Sequence, residues 1–582
     1  MSSAMRKSKF SQTKSQAFKT SKSYFMNTKN IPSDGWKGLV ENWKSDLPSG
    51  FIVALLALPL SLGIAAASDF PNPLYGVLTA IIGGLVVSLF MGARLTIKGP
   101  AAGLIVIVAS AIAAFGGGEA GWRLALAAII VAAVLQVLFG LLKLGKLSDF
   151  FPLSAVHGML AAIGIIIISK QLHVLMGVNP KFPEGAMHHG ELVAGKPMVA
   201  PLDLFSAIPS TFGKLMADPV YQSSLWVGLI CLVIVFAWPM LKSPILKKIP
   251  APMVVLFVAV PLGSIMGLTQ LNGQLVKVGN FLNFSSGNGA DYKTFVLGFQ
   301  PDFSHISQFI GPFVQYVALF AIIGSLESLL TAKAIDLLDP FKRKTDFNKD
   351  LIAVGTGNAL AGALGGLPMI SEVARSSSNV NNGGKTRWAN FFHGFMLLIF
   401  VALLSGVIEM IPKSALAALL IGVGFKLAHP REFIHMFKIG KEQLLVFLVT
   451  IVFTLVEDLL IGIAAGIVTE MIVLLVSGAS LSSLFKAQAE VAFVDDKYEV
   501  HVSRAAVFTN FMGIKNKLES IPGASHITIY FDNSRVIDHS AMEQLHLFKS
   551  NYEREGGEVI IEGLSNHKTF SKHHLAGRNK KK

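Results

Sequence analysis

The chain of 582 residues has a single cysteine, Cys231, and little charge, with Asp, Glu, Lys and Arg making up only 15% of it. One thiol excludes an intramolecular disulfide framework and a cysteine-built metal site; Cys231 sits in an apolar run and reads as a small core residue. With 52% apolar residues and a mean hydropathy of +0.57, the shortage of charge excludes an ordinary soluble enzyme and points to many membrane spans. No apolar core follows the early basic residues until about Phe51, so no cleaved signal peptide is expected. The sequence lacks a phosphate-binding loop, a metal cluster and a catalytic triad, so no enzyme, catalytic residue or cofactor is expected. His188-His189 has neither cysteines nor HxxxH spacing near it, and no metal is assigned there.

What is present starts with where the net charge of +14 sits. Residues 1–50 hold nine Lys/Arg against three acids among many Ser, Thr and Asn. Residues 1–46 therefore read as a mostly disordered arm on the anionic cytoplasmic leaflet, with lipid rather than nucleic acid as partner. At about 20 apolar residues per span, the region 47–480 predicts spans near 51–68, 74–92, 100–115, 121–142, 153–176, 224–241 and 250–269, then 308–336, 351–364, 371–381, 388–409, 413–428, 441–457 and 459–478. That is seven plus seven. Basic residues gather in one set of alternate loops, among them Arg94 and Lys98, Lys143 and Lys146, Lys342 to Lys344, Lys385 and Arg387, which predicts cytoplasmic termini.

The third and tenth spans are too short to cross, and each follows a Gly-Pro-type break, Gly99-Pro100 in one half and Gly365-Gly366-Leu367-Pro368 in the other. Corresponding interrupted segments indicate transporter repeats with the site at their interface, and an odd number of spans per half inverts the repeats. The stretch after the second break carries Glu372, Arg375, Ser376, Ser377, Ser378 and Asn379 at membrane depth, where protein or water must satisfy them. It reads as an unwound piece ending at a half-helix that starts near Ser371, whose N–H groups and positive dipole end suit a small anion.

Glu327 lies midway along the eighth span with Thr331 four residues on, on the same helix face. A carboxylate at that depth costs about 2.5–3.5 kcal/mol and usually marks an ion or proton path; with a hydroxyl beside it, it could take a proton or ligate sodium. The planar fork of Arg375 suits an oxyanion, and equally an ion pair with Glu327 or Glu372. Glu372 favours the dipole but repels an anion in the same place, so its partner stays open. In the first span Pro59-Leu60-Ser61-Leu62-Gly63-Ile64 combines a kink, a hydroxyl and small residues.

From about Glu490 strand-like and helix-like segments alternate, predicting a small α/β domain over 488–575, with 576–582 as a frayed basic tail.

The pieces LALPLSLGIAAASDFPNPLYG, GPAAGL, GSLESLLTAK and GGLPMISEVARSSSNVNNGGKTR resemble the SulP anion transporters, whose animal relatives include pendrin and prestin. The resemblance covers nearly all of residues 40–575. It implies an α-helical membrane protein of 14 spans in a 7+7 inverted repeat like that of uracil permeases, followed by a cytoplasmic STAS domain. It implies an anion between the third and tenth span N-termini, near Ala101, Ala102, Ser371, Glu372, Val373 and Ala374, lined by Leu60, Ser61 and Ile64 and backed by Arg375. Glu327 matches the acidic coupling position; with Val373 where sodium-coupled members carry threonine, it favours protons over sodium. Glu372 departs from the small residue more usual there. The segment Asp532 to Ser540 resembles the STAS signature loop, which implies a regulatory phosphorylation position at Ser540, while the residue itself reads first as a helix cap. The expectation is an inner-membrane symporter, a homodimer in the manner of the family, for sulfate, bicarbonate or a small dicarboxylate. Core spans 1–4 and 8–11 would move past gate spans 5–7 and 12–14.

Overall fold

The computed structural model describes residues 31–145, 151–180, 187–188, 191–192, 198, 201–241, 243, 246, 249–268, 274–279, 294–457, 459–486, 488–523, 525–554 and 556–581. Most of the basic arm and His189 lie outside them.

Each range expected to span is occupied mainly by one helix, the range 388–409 holding a further short one at Ser405–Ile408: α1 (Gly35–Ala67), α2 (Leu74–Leu85), α3 (Ile105–Ala114), α4 (Gly118–Leu141), α5 (Leu153–Leu175), α6 (Pro219–Ala237), α7 (Ala251–Ile265), α8 (Ile310–Leu338), α9 (Phe347–Ala363), α10 (Val373–Asn381), α11 (Trp388–Leu403), α12 (Lys413–Leu427), α13 (Lys441–Val456) and α14 (Leu459–Val476). Among the described residues six helices are long and apolar enough to cross a membrane by length and composition, namely α1, α4, α5, α6, α8 and α14 with short extensions of two of them. The others gain their place by packing. Helix α9 lies along α4, α11 lies along α1 and α2, and α8 lies against α4. Separately, α12 packs on α5 and α6, and α13 on α5 and α14. The two groups meet where α1 crosses α12 and α7. Without a hydrophobic drive between helices in lipid, small residues permit such approach: a side chain at Gly84 would strike the backbone of Gly394, and Gly164 and Gly424 touch in the same way.

The two breaks become strands. β1 (Ile97–Pro100) pairs antiparallel with β2 (Met369–Glu372), with Ile97 opposite Glu372, Lys98 opposite Ser371, Gly99 opposite Ile370 and Pro100 opposite Met369. The tenth-span half-helix therefore begins at Val373, two residues later than expected from Ser371, because the ladder to β1 keeps 369–372 extended.

Three other expectations are corrected. Residues 35–46 of the arm are helical, continuous with the first span, because Asp34 caps Gly35 at 2.9 Å, the Trp388 indole donates to the Gly35 carbonyl at 2.8 Å and Asp46 accepts from the Lys385 amide at 2.7 Å. Lys98 is no loop charge but fully buried, and Arg343 and Arg387 are also buried and paired, with Asp339 and Asp34. The tail is not frayed throughout, since Arg578–Lys580 is a strand.

The C-terminal region has strands β3 (Ala489–Val494), β4 (Lys497–Ala506), β5 (His526–Ile537), β6 (Glu558–Glu562), β7 (His567–Thr569) and β8 (Arg578–Lys580), with helices α15 (Phe511–Glu519) and α16 (His539–Arg554). β5 is central: β4 and β6 run parallel to it, and β8 pairs antiparallel with its end. Asp538 begins α16, accepting from the amides of Ala541 and Phe508, each at 2.6 Å. Burial pushes its carboxyl up to about 7 against the pull of both amides. A raised carboxyl stabilises the fold while it holds its proton, and that contribution is lost as pH rises from the ordinary carboxylate range through 7. Asp538→Asn is expected to remove this part of the loss of protease resistance between pH 5 and 8, measured by limited proteolysis of the whole chain; an equally steep loss in the variant would refute the assignment. Ser540 is buried, and its hydroxyl accepts from the Leu153 amide at the start of α5 at 3.1 Å.

Candidate functional site

The β1/β2 ribbon is irregular backbone inside a helical bundle, so each polar group needs a partner from the protein. Side chains within apolar runs supply them. Thr79 accepts from the Leu367 amide at 2.8 Å, and Asn358 accepts from the Met369 amide while donating to the Met369 carbonyl at 3.1 Å. Ser376 accepts from the Ile97 amide at 2.8 Å, and Asn390 from the Lys98 amide at 3.2 Å. Gly365, at φ +89°, takes a left-handed turn that lets the chain leave α9 and enter the strand.

Behind the ribbon Lys98 forms an ion pair with Asp350 at 2.7 Å and donates to the Ser371 hydroxyl at 2.6 Å. Ser328 of α8 accepts from the Ser371 amide at 3.2 Å. The amide and hydroxyl of Ser371 are thus engaged in holding the ribbon, whereas the sequence placed them on the anion. Ser376 and Asn379 are likewise consumed, the latter accepting from the Ser49 hydroxyl at 2.7 Å and donating to the Leu95 carbonyl at 2.8 Å. The Lys98–Asp350 pair had no signal in the sequence beyond a lysine beside a Gly-Pro break. Lys98→Met would leave Asp350 buried without its cation and is expected to cost roughly 3–5 kcal/mol. Thermal unfolding of the purified protein should show a large fall for Lys98→Met and a smaller one for Lys98→Met with Asp350→Asn; equal falls would mean that the pair is not coupled.

In front of the ribbon lie the half-helix N-termini. Ala101 and Ala102 are buried where the chain turns from β1 into a 3-10 turn and α3, while Val373 and Ala374 at the start of α10 are exposed, Val373 by 51%. Glu372 is half-buried and reaches across to the other repeat, its Oε1 accepting from the Ala102 amide at 3.2 Å. Arg375 is fully buried, and its three guanidinium nitrogens have no hydrogen-bond partner among the described residues. It lies against Gly99, where a β-carbon would collide with its Nη1. Neither Glu327 nor Glu372 pairs with it within 4.0 Å among the described residues, although the charge of Glu372 acts on it.

Glu327, on α8, is buried with both oxygens lacking a hydrogen-bond partner among the described residues. It faces Gly103 so closely that a β-carbon there would collide with the carboxylate. Thr331 is buried one turn further on. The structure thus brings Glu327, Gly103, Ala102 and Glu372 together, with Arg375 against Gly99 of β1. Leu60, Ser61 and Ile64 are buried on α1, the Ser61 hydroxyl without a hydrogen-bond partner among the described residues. Among the described residues the arrangement offers two positive helix ends, one cation whose donors lack partners and one acid whose acceptors lack them. These can bind an anion and carry a proton.

Residues 43–450 match the model described as the Sulfate permease family. The chain is similar to YvdB of Bacillus subtilis (strain 168), which carries a sulfate-transporter name, at 25% identity over 74% of this chain and 73% of YvdB. Its fold is similar to the transmembrane domain of a cyanobacterium bicarbonate transporter, BicA, with TM-score 0.60 and 22% identity, covering 73% of this chain and 97% of that structure. It is also similar to the overall structure of SLC26A9, with TM-score 0.60 and 16% identity, covering 90% of this chain and 85% of that one.

Proposed function

The chain belongs to the sulfate permease family, a family of membrane anion transporters rather than enzymes, and from that premise we propose that it is a proton-coupled symporter of a small anion. The observation that carries this reading is the juxtaposition of two half-helix N-termini with a buried arginine and a buried carboxylate whose polar atoms have no hydrogen-bond partner among the described residues. Oriented N–H groups and a guanidinium hold the anion, and Glu327 takes one proton, which offsets one negative charge of the anion as it crosses. Sulfate is the first substrate, with bicarbonate or a small dicarboxylate as the other oxyanions this chemistry admits. The relatives carry both a sulfate and a bicarbonate name.

The division into two packed helix groups supports an elevator-like movement, in which α1–α4 and α8–α11 carry the site past α5–α7 and α12–α14. The STAS-like C-terminal region, seated against α5 through Ser540, is the cytoplasmic regulatory part, and a homodimer in the inner membrane is the working assembly. Uptake of labelled sulfate and bicarbonate into proteoliposomes, with proton and sodium gradients imposed separately, tests the reading. Accumulation driven by protons is the expected result. Sodium-driven uptake would reassign Glu327 to a cation site, and flux without accumulation would make the protein an uncoupled channel.

A further inference from the structure

Glu372 reaches from one repeat to the half-helix N-terminus of the other. It stands at the N-cap position of α10 yet makes no side-chain bond to its own helix. Its carboxylate instead accepts the Ala102 amide at the head of α3, at 3.2 Å. That amide is among the donors an incoming anion would need, because the first N–H groups of a helix have no internal partner. The charged groups around it are Glu327, whose carboxylate feels that of Glu372, and Arg375, on which Glu372 also acts. Lys98 is on the far face of the ribbon, already neutralised by Asp350.

We propose that Glu372 is a resident anion of the transport site, holding the Ala102 amide until an arriving substrate anion displaces it. This rests on the anion-transport reading above and assigns to that site a built-in competitor. A tethered carboxylate in the cradle has two consequences. It satisfies the helix end between transport events, and it weakens every anion that must take its place, a dianion more than a monoanion, because the displaced carboxylate remains tied nearby. Glu372 is thereby a specificity-determining residue, setting affinity rather than supplying it.

The test is equilibrium binding of labelled sulfate and labelled bicarbonate to the purified full-length protein, with KM and kcat for uptake measured on the same preparations. Glu372→Ala removes both the charge and the acceptor, while Glu372→Gln keeps the acceptor without the charge. Sulfate affinity is expected to rise by at least about tenfold in Glu372→Ala, from loss of like-charge repulsion, with Glu372→Gln between it and wild type and bicarbonate gaining less than sulfate. KM should fall in parallel, with kcat not rising. If Glu372 merely staples α3, affinity will instead drop in Glu372→Ala and be restored in Glu372→Gln, and the proposal is wrong. Unchanged affinity in both variants overturns it as well. Should neither wild type nor variants bind either anion, the anion-transport reading itself fails, an outcome distinct from the other two.

Discussion

Proteoliposomes containing Glu327→Gln are expected to show no accumulation of the anion against its gradient when only a proton gradient is imposed, with the signal falling to the protein-free background. The argument is chemical. Glutamine matches glutamate in size and can remain beside Gly103, but it cannot take up and release a proton. In the wild type the carboxylate is buried and both oxygens lack a hydrogen-bond partner among the described residues, so none of the described cations bonds to it. A group left bare at that depth is costly when charged, which favours its being neutral while the site moves and charged only where water reaches it. Binding of labelled sulfate should survive the substitution, since Glu327 supplies no donor to an anion. Proton-driven accumulation of wild-type size in Glu327→Gln would eliminate Glu327 as the coupling group.

Gly103→Ala should inactivate transport by about two orders of magnitude while leaving the protein folded. The added methyl group would overlap the Glu327 carboxylate. The colliding atoms are the far end of a side chain that can rotate, so the helices need not part, and overpacking of this kind costs roughly 1–3 kcal/mol. What is lost is the placement of the carboxylate opposite the α3 N-terminus, and misplacement of a reacting group by about 1 Å can cost about a hundredfold. Uptake and thermal unfolding should be measured together, with Gly213→Ala as control, since a β-carbon at Gly213 meets nothing within 4 Å. A fall in stability large enough to account for the lost uptake would show that Gly103 serves packing alone.

The helical membrane architecture was legible because long apolar runs and their interruptions are one-dimensional signals. Glu327 and Arg375 stood out for the same reason, each being charged where lipid would penalise charge. The boundary of the tenth span was misjudged because a strand depends on its partner: Met369–Glu372 stay extended only because Ile97–Pro100 lie beside them. Lys98 was misread since a lysine next to a Gly-Pro break looks the same whether it faces water or Asp350, which follows 252 positions later. The strand at 578–580 was hidden by its lysines, which give no apolar alternation to detect. Thr79, Asn358 and Asn390 look like isolated polar residues in apolar helices, and only the fold reveals that they hold the ribbon together.

The ribbon has one more consequence. Its ladder bonds, reinforced by the Ala101 amide donating to the Pro368 carbonyl at 3.1 Å, tie the beginnings of α3 and α10 into a single girder. A girder does not stretch, so the distance between the two helix heads stays constant wherever the carrier stands in its cycle. Under the proposed carrier cycle the anion would meet the same two helix heads from either side, and the direction of transport would follow the gradients placed across the membrane.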